Sequence, residues 1–428
     1  MTVDSDILVP SFASTERQST LTVATFNLVA TIVSGGVLSL PLAFEKCGIV
    51  VATLLMLLSA AITDRSLYLL CLSARLSGVS SYGEIGNKAF GVWMERGISL
   101  MLFVFLLFVL VAFMVLVRDI WAPIIGMVVK ECNDDIVLLV MLILMSPFLL
   151  QRNLHALRFN CYVGFASVSL LCLALCHHGF LSPRPHLKLW PTNISDVLFA
   201  FPIITLSFLS HFNILPIQAA LINPSRMRIN HIIHSAVVSC FVLMYLFGLG
   251  GYLYAGDTTK GNILLNVANE TTDYIFFIGR IGCGITIMLA IPMILLPCRQ
   301  SILAVIDAIV GMSPIQEVTE QTPLYQSPIV MTVGRSSCIH IASTLAILVI
   351  TYLGAVVTPG VAIVWSLCGS SMAFLIAFIL PAACYLEIGK VDTTYRTFSF
   401  ALLVFAVLGA TACSVQTTLR LLKGSSQE

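Results

Sequence analysis

Charged residues leave this chain in long gaps. No Asp, Glu, Lys or Arg occurs within 18–44, 47–63, 97–117, 136–151, 159–183, 197–225, 229–256, 281–298 or 397–419, and residues 336–386 run for 51 positions without one. A helical bilayer crossing needs about 20 mostly apolar residues. The gaps therefore set out an all-α polytopic membrane protein. Composition agrees: 58% of the 428 residues are hydrophobic and 10% charged, against about 25% charged in a soluble domain. That balance excludes a soluble enzyme, a disordered chain and a disulfide-stapled secreted domain. A net charge of +1 gives no polyelectrolyte signature, so nucleic acid is not an expected partner.

The gaps predict eleven transmembrane helices, at roughly 22–44, 48–73, 97–127, 136–151, 158–178, 196–222, 229–255, 274–299, 336–357, 361–386 and 397–420. Thr358-Pro359-Gly360 supplies the turn between the ninth and tenth. With the N-terminus in the cytoplasm, thirteen loop Lys and Arg lie inside and seven outside, the expected bias. Both N-x-S/T triplets, Asn193-Ile194-Ser195 and Asn269-Glu270-Thr271, then fall in outer loops.

The expected organisation is a cytoplasmic tail (1–19), one transmembrane domain (20–422) and a short C-terminal tail (423–428). A proline-containing cytoplasmic loop occupies 300–335. Residues 1–19 lack the basic-then-apolar order of a cleaved signal peptide. The 13 cysteines include no CxxC pair, so no metal or cofactor is expected. Cys47 and Cys132 fall near expected outer ends, where a disulfide is one option and packing the other.

Two spans carry helix-breaking residues at mid-membrane. The first reads Asn27-Leu-Val-Ala-Thr31-Ile-Val-Ser34-Gly35-Gly36-Val-Leu-Ser-Leu-Pro41. Lipid offers no replacement hydrogen bonds, so a break there must line a cavity or pack tightly against protein. The sixth reads Leu206-Ser207-Phe-Leu-Ser210-His211-Phe-Asn213-Ile-Leu-Pro216, a polar cluster and a proline five helices later. Paired interruptions at matching places favour the cavity, because inverted-repeat transporters are built that way. Freed N–H groups would suit a carboxylate and freed carbonyls an ammonium; an α-amino acid carries both.

Asn27-Leu…Ile-Val-Ser-Gly-Gly-Val-Leu-Ser-Leu-Pro-Leu-Ala-Phe…Gly48 resembles the first helix of the amino acid/auxin permease family. Tyr82-Gly-Glu-Ile-Gly-Asn-Lys-Ala-Phe-Gly91, Phe208-Leu-Ser-His211-Phe-Asn-Ile-Leu-Pro-Ile217 and Gly251-Tyr-Leu-Tyr-Ala-Gly-Asp257 are similar to later family segments. So are Pro292-Met-Ile-Leu-Leu-Pro-Cys-Arg-Gln-Ser301 and Gly369-Ser-Ser…Phe378-Ile-Leu-Pro381. The order holds from about 22 to 420, and the likeness is nearest to the neutral amino acid transporter branch.

The resemblance implies a LeuT-like fold, with inverted repeats at about 22–178 and 196–386 and an extra helix at 397–420. It implies substrate held between helices 1 and 6 by Thr31, Ser34, Gly35, Gly36, Ser207, Ser210 and Asn213. Sodium-coupled members place an amide early in helix 1 and a hydroxyl in helix 8. Asn27 matches the first, but Met288-Leu289-Ala290-Ile291 lacks the hydroxyl and Thr286 sits nearly a turn earlier. That argues against sodium and leaves a proton, or no ion, as the coupling partner. Where the family often has Tyr-x-Glu after Leu-Pro-Ile, this chain has Gln218-Ala219-Ala220.

An intramembrane charge costs at least about 2.5–3.5 kcal/mol. Asp119 and Arg280 fall inside spans, so they are expected to bridge across the outer vestibule or to snorkel. Arg118 and Asp119, being helix neighbours, are not expected to face each other. His211 is the one histidine expected deep in a span; it could accept a coupling proton or bridge backbone groups freed by the break. His177, His178 and His186 are expected in the solvated loop after span 5.

The function expected is a secondary carrier moving an L-amino acid by alternating access. The sequence shows no Walker A motif for ATP and no HExxH, paired-Asp or Ser-His constellation. The runner-up is an organellar amino acid sensor. No obligate protein partner is evident, and plasma and endolysosomal or vacuolar membranes fit equally.

Overall fold

The computed structural model describes residues 19–33, 35–127, 129, 133–149, 159–181, 186–268, 273–310, 337–389 and 393–424. These are almost wholly helical, because main-chain groups in lipid have no partners except one another. In chain order the helices are α1 (Leu21–Ile32), α2 (Leu40–Ser77), α3 (Tyr82–Phe90), α4 (Val92–Gly126), α5 (Asp134–Leu149), α6 (Asn160–Leu181) and α7 (Ile194–Ser207). There follow α8 (His211–Ala220), α9 (Arg226–Ala255), α10 (Tyr274–Val310), α11 (Ser337–Val357), α12 (Val361–Cys368), α13 (Leu380–Ile388) and α14 (Thr393–Gly424). Eight helical stretches among the described residues are long and apolar enough to cross a membrane. The expected eleven do not emerge from that count, partly because helices broken or bent at particular residues are counted whole or fall short.

Those breaks arise locally. A 3-10 turn at Gly35–Ser39 separates α1 from α2, and Pro41 sits in the first turn of α2, where its missing N–H leaves no helical bond unmade. Gly48 bends α2 with φ 71°, a left-handed angle that glycine adopts without a Cβ penalty. α7 ends at Ser207 and α8 starts at His211. The sixth span is therefore broken at Phe208–Ser210, earlier than the Ser210–Pro216 stretch suggests, and Pro216 lies inside α8. Between α12 and α13 the chain loosens into π-helical turns at Gly369–Ala373 and Leu375–Ile379. There Pro381 cannot donate to the Ala377 carbonyl. Ser66 Oγ donates to it instead, and Tyr82 Oη donates to the Ile376 carbonyl at 2.7 Å.

α2, α7, α9 and α12 touch the 3-10 turn of the first break, with α4 against Gly35 and α10 and α6 packed behind α4 and α9, while α14 leans on α7 and α13. The outer faces carry exposed apolar side chains, such as Leu54, Ile143, Leu173 and Leu408, as a lipid-facing surface requires. His177 and His178 belong to the last turns of α6 rather than to a loop, and His178 Nε2 meets Asp273 Oδ2 at 2.6 Å. The charge-free run 159–183 already encloses the whole of α6, so the helix fills the gap that the expectation of a loop at His177 cuts short.

Candidate functional site

The end of α1 faces the start of α8. Asn213 Nδ2 donates to Thr31 Oγ1 at 2.6 Å, and Thr31 Oγ1 donates to the Asn27 carbonyl at 2.8 Å. Three expected site residues thus form one relay joining the two broken helices. For Asn27 it is the main chain that takes part.

The glycines lie beside them. A Cβ on Gly36 would stand 3.5 Å from Ser207 Oγ, and one on Gly35 would stand 2.9 Å from Phe113 Cε1 and 3.0 Å from Leu116 Cδ1. The break in the first span is thereby walled by α7 on one side and α4 on the other. Phe113 meets Trp365 of α12 edge-on at 6.2 Å. Ser34 lies outside the described residues.

Polar atoms gather at the second break. Ser210 and His211 are fully buried. Ser210 Oγ, both ring nitrogens of His211, Asn213 Oδ1, Thr205 Oγ1 and Trp365 Nε1 have no hydrogen-bond partner among the described residues. Buried polar atoms are ordinarily paired, so those on Ser210, His211 and Asn213 leave hydrogen-bonding capacity at the second break that a polar ligand could take up. Helix ends add direction: the start of α8 presents N–H groups, and the ends of α1 and α7 present carbonyls. Such an arrangement can hold a carboxylate and an ammonium at once. Trp365, Phe113 and Thr205 carry no mark in the sequence; only proximity in the fold picks them out.

Other expected residues lie elsewhere. Thr286 turns towards α6: its Oγ1 donates to the Gly282 carbonyl, its own carbonyl accepts from Asn160 Nδ2 at 2.9 Å, and it packs on Gly164. Asp119 and Arg280 do not bridge each other among the described residues. Arg280, 2% exposed, donates to the carbonyls of Ile120 at 3.0 Å and Ala268 at 3.3 Å. Asp119 accepts from Asn262 at 3.5 Å and lies 4.0 Å from Arg118 Nε. That contact is at the outer limit of an ion pair, and the shorter contacts of Arg118 lie elsewhere. Arg118 also donates to the carbonyl of Ala355 at 3.0 Å and pairs with Asp135 at 3.4 Å, tying α4 to α5 and α11.

A second charge cluster has no counterpart among the residues that the sequence singles out. Lys188 Nζ meets Glu45 Oε1 at 2.8 Å and Asp257 at 3.3 Å. The hydrogen bond to Glu45, above all, pushes the Lys188 ammonium pKa up to about 12. The main chain around Lys188 lies in the Gly48 elbow: Ile49 N–H donates to the Lys188 carbonyl at 3.0 Å and Val50 N–H to that of Leu189 at 3.1 Å. Cys47 forms no disulfide with a described cysteine; Cys132 and Asn269 lie outside the described residues.

Residues 17–419 match the family model described as transmembrane amino acid transporter protein. Mouse solute carrier family 38 member 10 is 27% identical over 95% of this chain, and the chain spans only 36% of that protein's length. The Xenopus laevis putative sodium-coupled neutral amino acid transporter 10 is 27% identical over 85% of this chain and 34% of its own. The Arabidopsis amino acid transporter AVT6B is 24% identical over 90% of this chain and 86% of its own. Among solved structures, the nucleobase-cation-symport-1 family transporter Mhp1, in a closed conformation with bromovinylhydantoin bound, superposes with a TM-score of 0.53. That match covers 99% of this chain and 96% of Mhp1 at 10% identity, and shows a shared fold.

Proposed function

We propose that this chain, which belongs to the transmembrane amino acid transporter family, is a secondary carrier that moves an L-amino acid across a membrane by alternating access. The observation that carries the reading is the pair of facing helix breaks. Glycines 35 and 36 leave room, Asn213 and Thr31 hold the two ends together, and unpaired buried polar atoms collect at Ser210 and His211. The substrate carboxylate would lie at the N-terminal end of α8, and its ammonium at the carbonyl ends of α1 and α7. Small residues and the apolar walls of Phe113 and Leu116 favour a neutral side chain. The Xenopus relative's name, which includes sodium-coupled and neutral amino acid, supports the substrate class.

The coupling proposed is to protons through His211, or none. Thr286, turned towards α6, supports sodium no better than the sequence does. The architecture proposed is eleven crossings. α1 with the start of α2 would be the first, α2 after Gly48 the second, α7 with α8 the sixth and α12 with α13 the tenth. The repeats would run about 22–178 and 196–386, with the N-terminus in the cytoplasm.

The test is uptake of radiolabelled L-amino acids into proteoliposomes, run with a sodium gradient, with a proton gradient and with neither. Saturable uptake with counterflow supports a carrier. Saturable binding without uptake would move the reading to a sensor, and no binding would end it.

A further inference from the structure

The ends of the two broken spans farthest from α7 and the start of α2 are joined a second time, away from the substrate region. Ser19, just before α1, forms an isolated parallel bridge with Leu221, just after α8. Ser19 N–H donates to the Ala220 carbonyl at 2.9 Å, and Ile222 N–H donates to the Ser19 carbonyl at 3.0 Å. Leu221 is fully buried and extended, with φ −73° and ψ 131°. Two residues later Asn223 takes φ 50°, the one non-glycine residue at positive φ among the described residues, followed directly by Pro224. Asparagine tolerates a positive φ better than most residues, but the proline that follows restricts it further. Backbone held in such a region, next to a two-bond clasp, marks a place where the chain is constrained by what it grips.

We infer that the Ser19–Leu221 bridge is a gate clasp that makes α1 and α8 one moving body. The inference rests on the carrier reading for its purpose: opening the substrate site towards the N-terminal face would have to swing α1 and α8 together or break the bridge first. The relay from Asn213 through Thr31 to Asn27 pins the same two helices at the substrate end. α1 is therefore tied to α8 at both of its ends, twelve residues apart. Two separated ties between the same pair of rods remove relative sliding and twisting, which one tie alone leaves free. Side-chain identity matters little at the bridge, since both bonds are main-chain. That is why no sequence motif announces it.

The test separates the clasp from the carrier reading by using a readout that needs no substrate. Ile222→Pro deletes one donor. The residue before it, Leu221, already holds the extended conformation that precedes proline, and Ile222 is 37% exposed, so little packing is lost. Hydrogen–deuterium exchange on the full chain in nanodiscs is expected to rise about tenfold or more across both 21–33 and 211–220, with 56–77 unchanged. The complementary variant, Ser19→Cys with Leu221→Cys, is expected to cross-link under mild oxidant, because paired strands approach within disulfide reach. The cross-link should slow exchange in the same two segments and reverse on reduction; the parent chain under the same oxidant controls for its native cysteines. If the proline variant speeds exchange only at 218–223 while 21–33 keeps its parental rate, or if the cross-linked chain protects only one helix, the one-body inference is overturned. Loss of uptake has no bearing on that outcome. If the exchange behaviour is as expected but no uptake of any amino acid is found, the carrier reading fails and the clasp stands.

Discussion

Gly35 and Gly36 are neighbours with different reasons for lacking a side chain, and alanine substitution separates them. Neither has a positive φ, so the backbone accepts a Cβ at both and only space decides. At Gly36 the nearest atom would be Ser207 Oγ at 3.5 Å, an ordinary contact. At Gly35 the Cβ would meet Phe113 Cε1 at 2.9 Å and Leu116 Cδ1 at 3.0 Å, so both must retreat by about 0.5 Å to reach ordinary contact. Phe113 is buried and stands edge-on to Trp365, itself buried, so its retreat propagates into α12. Overpacking of this kind costs about 1–3 kcal/mol, which is roughly a 5- to 150-fold change in an equilibrium constant. Gly35→Ala is therefore expected to lower the melting temperature by several degrees. Gly36→Ala should leave the melting temperature close to the parent's, because its Cβ makes only an ordinary contact. Phe113→Leu added to Gly35→Ala should recover most of the loss. Equal damage at the two glycines, or no rescue by the smaller side chain, would refute the assignment of Phe113 as the wall of the first break.

Four further outcomes follow from the geometry. Gly48→Ala combines a left-handed φ of 71° with a Cβ 2.7 Å from main-chain atoms of Leu189 and Trp190, so folded yield measured by size exclusion should collapse. Gly78→Ala, at φ 70° with nothing within 4 Å, should lose only about 1–2 kcal/mol. Lys188→Met removes one of the two ammonium groups on Glu45, leaving Lys46 Nζ at 2.9 Å from Oε2, and should lower thermal stability. Because the folded Lys188 pKa is raised from 10.5 to about 12, its contribution is fully present below the unfolded value and disappears only as pH climbs through the folded one. The melting-temperature gap between parent and variant should thus be flat from pH 7 to about 9.5, and a gap that shrinks across that window counts against the pairing. For His211→Gln, uptake driven by a proton gradient should fall to the level seen without one, while counterflow persists; undiminished proton stimulation would remove His211 from the coupling path.

Much of the architecture is written in the spacing of charges, and the two breaks in Gly35-Gly36 and in the polar run around Ser210. Those features are local: a glycine pair or a charge-free run means the same thing wherever the rest of the chain goes. The offset at the second break has a local cause too. Pro216 reads as the breaker, yet it is the sixth residue of α8, and the helix runs through it. A proline there removes one main-chain donor and strains one turn, which packing on both sides can absorb. The interruption falls instead at Phe208–Ser210, at the polar run and ahead of the proline.

What cannot be read is decided between distant segments. Asp119 and Arg280 have opposite charges and similar depth, and pairing them is the natural expectation. The fold instead gives Arg280 two main-chain carbonyls, at Ile120 and Ala268, which satisfy a guanidinium without a carboxylate because its donors are forked and numerous. Glu45 and Lys188 are separated by 143 positions, and each alone reads as an ordinary loop or helix-end charge. Only the glycine elbow at residue 48, by admitting the Lys188–Trp190 backbone at a distance that no side chain would permit, brings that ammonium onto the buried carboxylate. The same logic covers the substrate region: Trp365 and Phe113 become its wall because α12 and α4 converge on two glycines. The residue types that matter most there are therefore the ones with the least to show in isolation, since a glycine's contribution is the approach it allows rather than any bond it makes.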